Sequence, residues 1–144
     1  MIQNERQYRI TRAQVRKFER AINRLAERGT GKQVHPLLAK AEADALRSQL
    51  ADLRGEIKQY EALRSGKRAR LELQSLDDIP RALIQARIAA GLSQKDLAER
   101  LGLKEQQVQR YEATAYASAS LSRVSDVARA LGIKVRNGTL VCSA

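Results

Sequence analysis

The stretch Leu92–Glu112, LSQKDLAERLGLKEQQVQRYE, decides the fold. Ser93 stands where a helix needs an N-cap, with a hydroxyl placed to accept a backbone N–H of the first turn. From Lys95 to Leu101 no breaker intervenes. Gly102 then ends the helix where left-handed backbone is required, a conformation glycine adopts without steric cost. Lys104 begins a second helix that runs at least to Tyr111. The apolar positions tie the two together. Leu97 and Leu101 face a core, and Ala98 is small where the second helix must cross closely. Val108 and Tyr111 return that helix to the same core. Its outward positions are long and polar: Lys104, Glu105, Gln106, Gln109 and Arg110.

Two short helices joined this way form a helix-turn-helix unit, whose second helix lies in the DNA major groove. Gln and Arg are the residue types that make bidentate contacts to adenine and guanine edges. The run GLSQKDLAERLGLKEQQVQRYE resembles the Cro/lambda-repressor-type, or XRE, family, and the resemblance covers residues 77–133. It implies a domain of four or five helices that binds double-stranded DNA as a homodimer, on half-sites about one helical turn apart. It also implies a structural ion pair between Arg87, just before the Gly91-Leu92-Ser93 turn, and Glu112 at the end of the recognition helix. Gln94 matches the family position that bonds a phosphate, and Ser93 can join it as helix N-termini do. The loop after the recognition helix meets the DNA backbone in this family, which makes Thr114, Tyr116 and Ser118 phosphate candidates. Base reading falls to Lys104, Glu105, Gln106, Gln109 and Arg110. Arg110 suits guanine and Gln106 adenine, while Glu105 either accepts from cytosine N4 or holds Arg110 in place.

The rest of the chain sets the context. Its 144 residues are 3% aromatic, with no Trp and one Phe, so the core must be aliphatic. The net charge is +11, which favours a polyanionic partner. Residues 1–70 carry 17 Lys and Arg against 8 Asp and Glu, leaving residues 71–144 close to balance. Most of the positive charge therefore lies outside the helix-turn-helix stretch. A single Cys, Cys142, makes neither an internal disulfide nor a Cys-based metal site, and fits a reducing cytoplasm. No signal-peptide pattern and no membrane-length apolar run is present, so a cytoplasmic, nucleoid-associated protein of bacterial or phage origin is expected. There is no Gly-rich phosphate loop and no ligand cluster at metal spacing. With one His, no Ser-His-acid set can be assembled. No enzyme, cofactor or metal is therefore expected.

The N-terminal half reads as two helices. Residues 1–10 are a polar lead, loosely ordered or a helix extension, and Thr11 is a candidate N-cap. Val15, Phe18, Ile22 and Leu25 fall on one face of a helix over 11–28. Arg12, Arg16, Arg20, Arg24 and Arg28 step by four along the other. Pro36 then opens a long helix to about residue 65, whose Leu46, Leu50, Leu53, Ile57 and Tyr60 form a heptad seam. Joined by a short loop, the pair is expected to be an antiparallel, coiled-coil-like hairpin. His35 is expected to be exposed or capping. Ser65-Gly66-Lys67-Arg68 marks the boundary between a hairpin over 1–66 and a DNA-binding domain over 67–144.

Residues 69–73 suggest a short strand, and Ser75-Leu76-Asp77-Asp78 a helix start close to a capping box. Asn137-Gly138 within an alternating tail suggests a small C-terminal β-hairpin, or a strand that pairs with residues 69–73. The expected class is thus all-α with a minor β element, and the expected function a DNA-binding regulator, a repressor on a palindromic operator. The arginine face has three readings: a solvated helix back, a second DNA-backbone contact, or a docking face for an acidic protein. The last leads to a second function. Small proteins of this resemblance are often antitoxins, in which one domain represses the operon and an extension blocks a toxin enzyme.

Overall fold

The computed structural model describes residues 1–27, 35–66 and 70–136, and the structural statements below concern those residues. They form six α-helices and one 3₁₀ turn, with no strand. The order is α1 (Glu5–Glu27), α2 (Pro36–Arg64), the 3₁₀ turn (Leu76–Asp78), α3 (Ile79–Ala89), α4 (Gln94–Leu101), α5 (Glu105–Ala113) and α6 (Leu121–Ala130). The chain divides into two compact units, Met1–Ser65 and Gly66–Ala144.

In the first unit, α1 begins earlier than Thr11 suggested. Asn4 Oδ1 accepts the Gln7 N–H at 2.9 Å, and Gln7 Oε1 accepts the Gln3 N–H at 2.8 Å. These reciprocal bonds satisfy donors that a helix start leaves unpaired. Thr11 is therefore inside the helix and 8% exposed. The residues read as a polar lead carry anchors: Ile2 is 2% exposed, and Tyr8 stacks on Tyr60 with ring centroids 5.1 Å apart. The Tyr8 hydroxyl donates to Glu61 at 2.5 Å, a bond that pushes the phenol pKa up.

The two helices run in opposite senses. Glu5 pairs with Arg64 at 2.9 Å and Glu19 with Arg54 at 2.7 Å. Exposed pairs of this kind stabilise by only about 0–1 kcal/mol. The apolar row does more, because a fully buried Leu side chain stabilises by about 1.5–3 kcal/mol. Leu50, Tyr60 and Leu63 are 7%, 7% and 2% exposed. At the start of α2, His35 is the N-cap: its Nδ1 accepts the Leu37 N–H at 3.3 Å, and Pro36 occupies the first turn. The apolar lead of that helix is uncovered, with Leu37 70% and Leu38 66% exposed.

In the second unit, residues 70–73 form no strand. Directly after them, Asp78 Oδ2 accepts the Gln74 and Ser75 N–H groups at 2.9 and 3.0 Å, which turns the chain into a helix start. Pro80 then sits in the first turn of α3, where its missing N–H costs nothing. Leu83, Ile84 and Ile88 from α3, Leu97 and Ala98 from α4, Val108 from α5 and Val127 from α6 are all buried.

Helix ends in this unit share one design. Leu92, Leu103 and Ile133 each donate a backbone N–H five residues back, to Arg87, Ala98 and Ala128. The residue before each is a glycine with φ between 66° and 69°. This is the Schellman closure, which needs left-handed backbone. The end of α5 repeats the bond, Tyr116 N–H to Tyr111 O at 2.7 Å, but with Ala115 at φ 48° and Tyr116 at φ 59°. Leu121, in the first turn of α6, is 79% exposed. Residues 133–136 form no strand, and the remainder of the suggested C-terminal hairpin lies outside the described residues.

Candidate nucleic-acid interface

The start of α4 is a complete capping box. Ser93 Oγ accepts the Asp96 N–H at 3.1 Å, while Asp96 Oδ2 accepts the Ser93 N–H at 2.8 Å and the Ser93 hydroxyl at 2.7 Å. The two bonds from Ser93 hold the Asp96 carboxyl below its usual pKa. Both donors of Ser93 are thus engaged within the fold, so a phosphate there must compete with a carboxylate.

Gly102, at φ 66°, turns the chain from α4 into α5. The start of α5 has a cap that the sequence reading missed. Gln107 Oε1 accepts the Lys104 N–H at 3.0 Å, the three-residue reach-back of a capping box. Lys104 as N-cap residue and Gln at the third helical position was the available signal.

What locks α5 in place is a buried ion pair. Arg87 Nε donates to Glu112 Oε1 at 2.5 Å and Arg87 Nη2 to Glu112 Oε2 at 2.7 Å, a bidentate fork. The two side chains are 3% and 0% exposed. Arg87 Nη1 also donates to the Leu92 carbonyl at 2.8 Å, tying α3 to the turn before α4. Gln94 Nε2 donates to Glu112 Oε2 at 2.8 Å, so α3, α4 and α5 meet on one carboxylate. Gln94 is 8% exposed. It is turned into the unit, where it helps hold the pair.

The face of α5 opposite Glu112 and Val108 is solvent-exposed. It presents Gln106 and Arg110; Gln109 lies to its side, Glu105 in the first turn is exposed on the Glu112 side, and Lys104 at the start is also exposed. Gln109 Nε2 donates to Glu105 Oε1 at 2.9 Å. Glu105 thus holds Gln109, one helical turn on, and not Arg110. That one-turn pairing presents the two side chains together and leaves the Gln109 carbonyl directed away from the bond.

Tyr116, one of the phosphate candidates, is a core residue. It is 4% exposed and stacks on Tyr111 with centroids 5.9 Å apart and planes 12° apart. The left-handed pair Ala115-Tyr116 turns the ring back onto the helix it has just left. Burial, followed by the nearby Glu112 charge, pushes its phenol pKa far up. Thr114 is exposed, but its hydroxyl donates to the Arg110 carbonyl at 2.9 Å, so its proton is directed at the helix end. Ser118 is exposed. No group of three or more His, Cys, Asp or Glu side chains among the described residues could hold a metal ion.

Residues 83–136 match the helix-turn-helix family model. The helix-turn-helix match spans the last two-thirds of α3 and all of α4, α5 and α6, including the fork, the glycine turn and the exposed α5 row. It covers somewhat over a third of the chain. No curated protein and no solved structure shows significant similarity to the chain. No helix among the described residues is long and apolar enough to cross a membrane.

Proposed function

We propose that the protein is a sequence-specific transcriptional regulator, a repressor that binds a palindromic operator as a homodimer. The observation that carries this is the geometry of α5. One side is fixed by the buried Arg87–Glu112 fork, the opposite side offers Gln106 and Arg110 to solvent, and Glu105 and Gln109 are exposed beside them. A helix so held presents its base-reading side chains from a backbone that is already fixed. Arg110 is the candidate for guanine O6 and N7, Gln106 for adenine N6 and N7, and each such bidentate contact discriminates by about 1–3 kcal/mol. Lys104 stands beside them at the helix start. Placement against phosphates falls to the α4 start at Ser93 and Gln94 and to the exposed Thr114 and Ser118, with the side chains of Ser93 and Thr114 needing to reorient.

The test is binding of the full chain to DNA from upstream of its own gene and to random duplex, for wild type and Arg110→Ala. The expected result is a preference for the upstream DNA that falls about tenfold or more in the variant. Equal binding to both duplexes by wild type overturns the reading for that operator. Unchanged preference in the variant overturns the assignment of Arg110.

A second reading is an antitoxin whose N-terminal unit docks a toxin enzyme. The exposed Leu37 and Leu38 at the start of α2 favour a protein partner, or a second copy of the chain, at that end. Co-expression with the products of adjacent genes tests it. A stable complex that Leu38→Glu breaks supports it, and homodimerisation that the same change breaks favours the second copy.

A further inference from the structure

The first unit has a cationic face that the helix-turn-helix does not account for. At about 100° per residue, Arg6, Arg9, Arg16, Lys17, Arg20 and Arg24 fall within an arc of about 100° on α1. The arc lies opposite Thr11, Val15, Phe18 and Ile22, and all six cations are exposed. Arg12 stands on its shoulder, with its guanidinium 5.7 Å from the centre of the Tyr8 ring. The six side chains run along about 27 Å of helix at 1.5 Å per residue.

The fold leaves this face unneutralised. Of the three acidic residues of α1, Glu5 is paired with Arg64 and Glu19 with Arg54, both on α2. Only Glu27, at the far end, falls in the cationic arc. The carboxylates of α1 thus serve the arginines of the other helix. Five of the six cations are arginines, whose planar fork matches phosphate oxygens in pairs.

We propose that this face of α1 is a second, sequence-independent surface for the phosphate backbone of a nucleic-acid duplex. A long row of guanidinium groups without carboxylate partners among the described residues, Arg20 Nε donating only to the Arg16 carbonyl at 3.2 Å, suits a regular polyanion. The choice of duplex DNA rests on the function proposed for α5; the phosphate chemistry does not. Such a surface adds affinity without adding sequence preference.

The experiment uses the full chain and a random-sequence duplex, with binding followed by anisotropy over a range of salt. Each phosphate contact contributes about 0.9 to the slope of log K against log salt. The variant Arg16→Gln/Arg20→Gln/Arg24→Gln is expected to lower that slope by about 2–3. The Arg→Lys triple at the same positions is expected to keep it. Lys40→Gln/Arg47→Gln/Lys58→Gln, an equal loss of charge from exposed positions on α2, is expected to lower it by less than about 1. An unchanged slope in the α1 triple overturns the proposal, and so do equal drops in the two Gln triples, since binding would then follow net charge. Single Arg→Gln changes, each expected to remove about 0.9, decide the matter if the triple loses helix content. Failure of the α5 reading shows separately, as absent operator preference with the random-duplex slope intact.

Discussion

Arg87→Met should be among the most damaging single changes in the second unit, and the reason can be worked from the fork. Glu112 is 0% exposed and receives two bonds from Arg87 and one from Gln94. Removing Arg87 leaves a buried carboxylate with one of those three donors. Breaking a buried pair in this way costs about 3–5 kcal/mol, because the remaining charge has left water without compensation. A unit of this size is expected to have about 4–12 kcal/mol of total stability. The single change therefore removes a large part of it. Arg87→Met/Glu112→Met removes both charges and keeps the volume apolar. It should recover most of the loss, since apolar replacement of a buried pair is often neutral or better. Recovery should stop about 1 kcal/mol short, because Gln94 loses its acceptor. Hydrogen exchange read segment by segment is the assay, with α1 and α2 as the internal reference. The slowest amides of α3–α5 should exchange more than about a hundredfold faster in Arg87→Met, at 1.4 kcal/mol per tenfold. A change under about tenfold, or a double variant no better than the single, would refute the claim that uncompensated burial is what makes the pair costly to break.

Three further outcomes follow from the same unit. Gly102→Ala should destabilise by about 1–2 kcal/mol through left-handed backbone alone, since beyond its chain neighbours no atom lies within 4 Å of the added Cβ, and Ala115→Gly should stabilise by up to about 1 kcal/mol; thermal unfolding reads both. The Tyr116 phenol is raised in the folded state, so its contribution is complete below the ordinary tyrosine pKa near 10 and is lost as pH rises towards the folded value. An alkaline absorbance titration should show late ionisation from Tyr8 and Tyr116, and Tyr116→Phe should remove one tyrosine's worth of it and leave that of Tyr8. Asp96 is held below its usual pKa, so its contribution is present above the ordinary value near 3.8 and is lost as pH falls through the lowered one. Asp96→Ala should flatten the acid limb of stability against pH, with Ser93→Ala doing so in part.

Which parts of this were legible from sequence depends on whether the controlling partner is local. Leu97, Ala98 and Val108 could be assigned to a core because helical periodicity alone puts them on one face, and they are 0%, 1% and 1% exposed. Gly102 could be placed at a turn because only backbone chemistry was at stake. Tyr116 could not be placed this way. A tyrosine in ATAYASAS looks like a surface residue until two successive left-handed residues turn it onto Tyr111. Non-glycine residues rarely adopt that backbone, so propensity argues against the conformation that the ring's burial enforces. A useful signal was the ring itself, the one large apolar group in a run of small residues.

The start of α1 was misplaced for a related reason. Thr11 is a good N-cap by type, but Tyr8 against Tyr60 and a buried Ile2 hold the chain helical well before it, and both contacts come from tertiary packing. Gln94 is the sharpest case. A glutamine at that position can donate to a phosphate or to a carboxylate, and sequence spacing is the same for either. Here Glu112 is within 2.8 Å of its amide. That amide carries two N–H donors, so a phosphate contact from the second would join the DNA backbone to the network that orients α5. DNA placement and the rigidity of the reading helix are then coupled through one side chain. Gln94→Ala should show that coupling by weakening both, whereas a residue that only touched phosphate would lower affinity and leave the exchange rates of α5 unchanged.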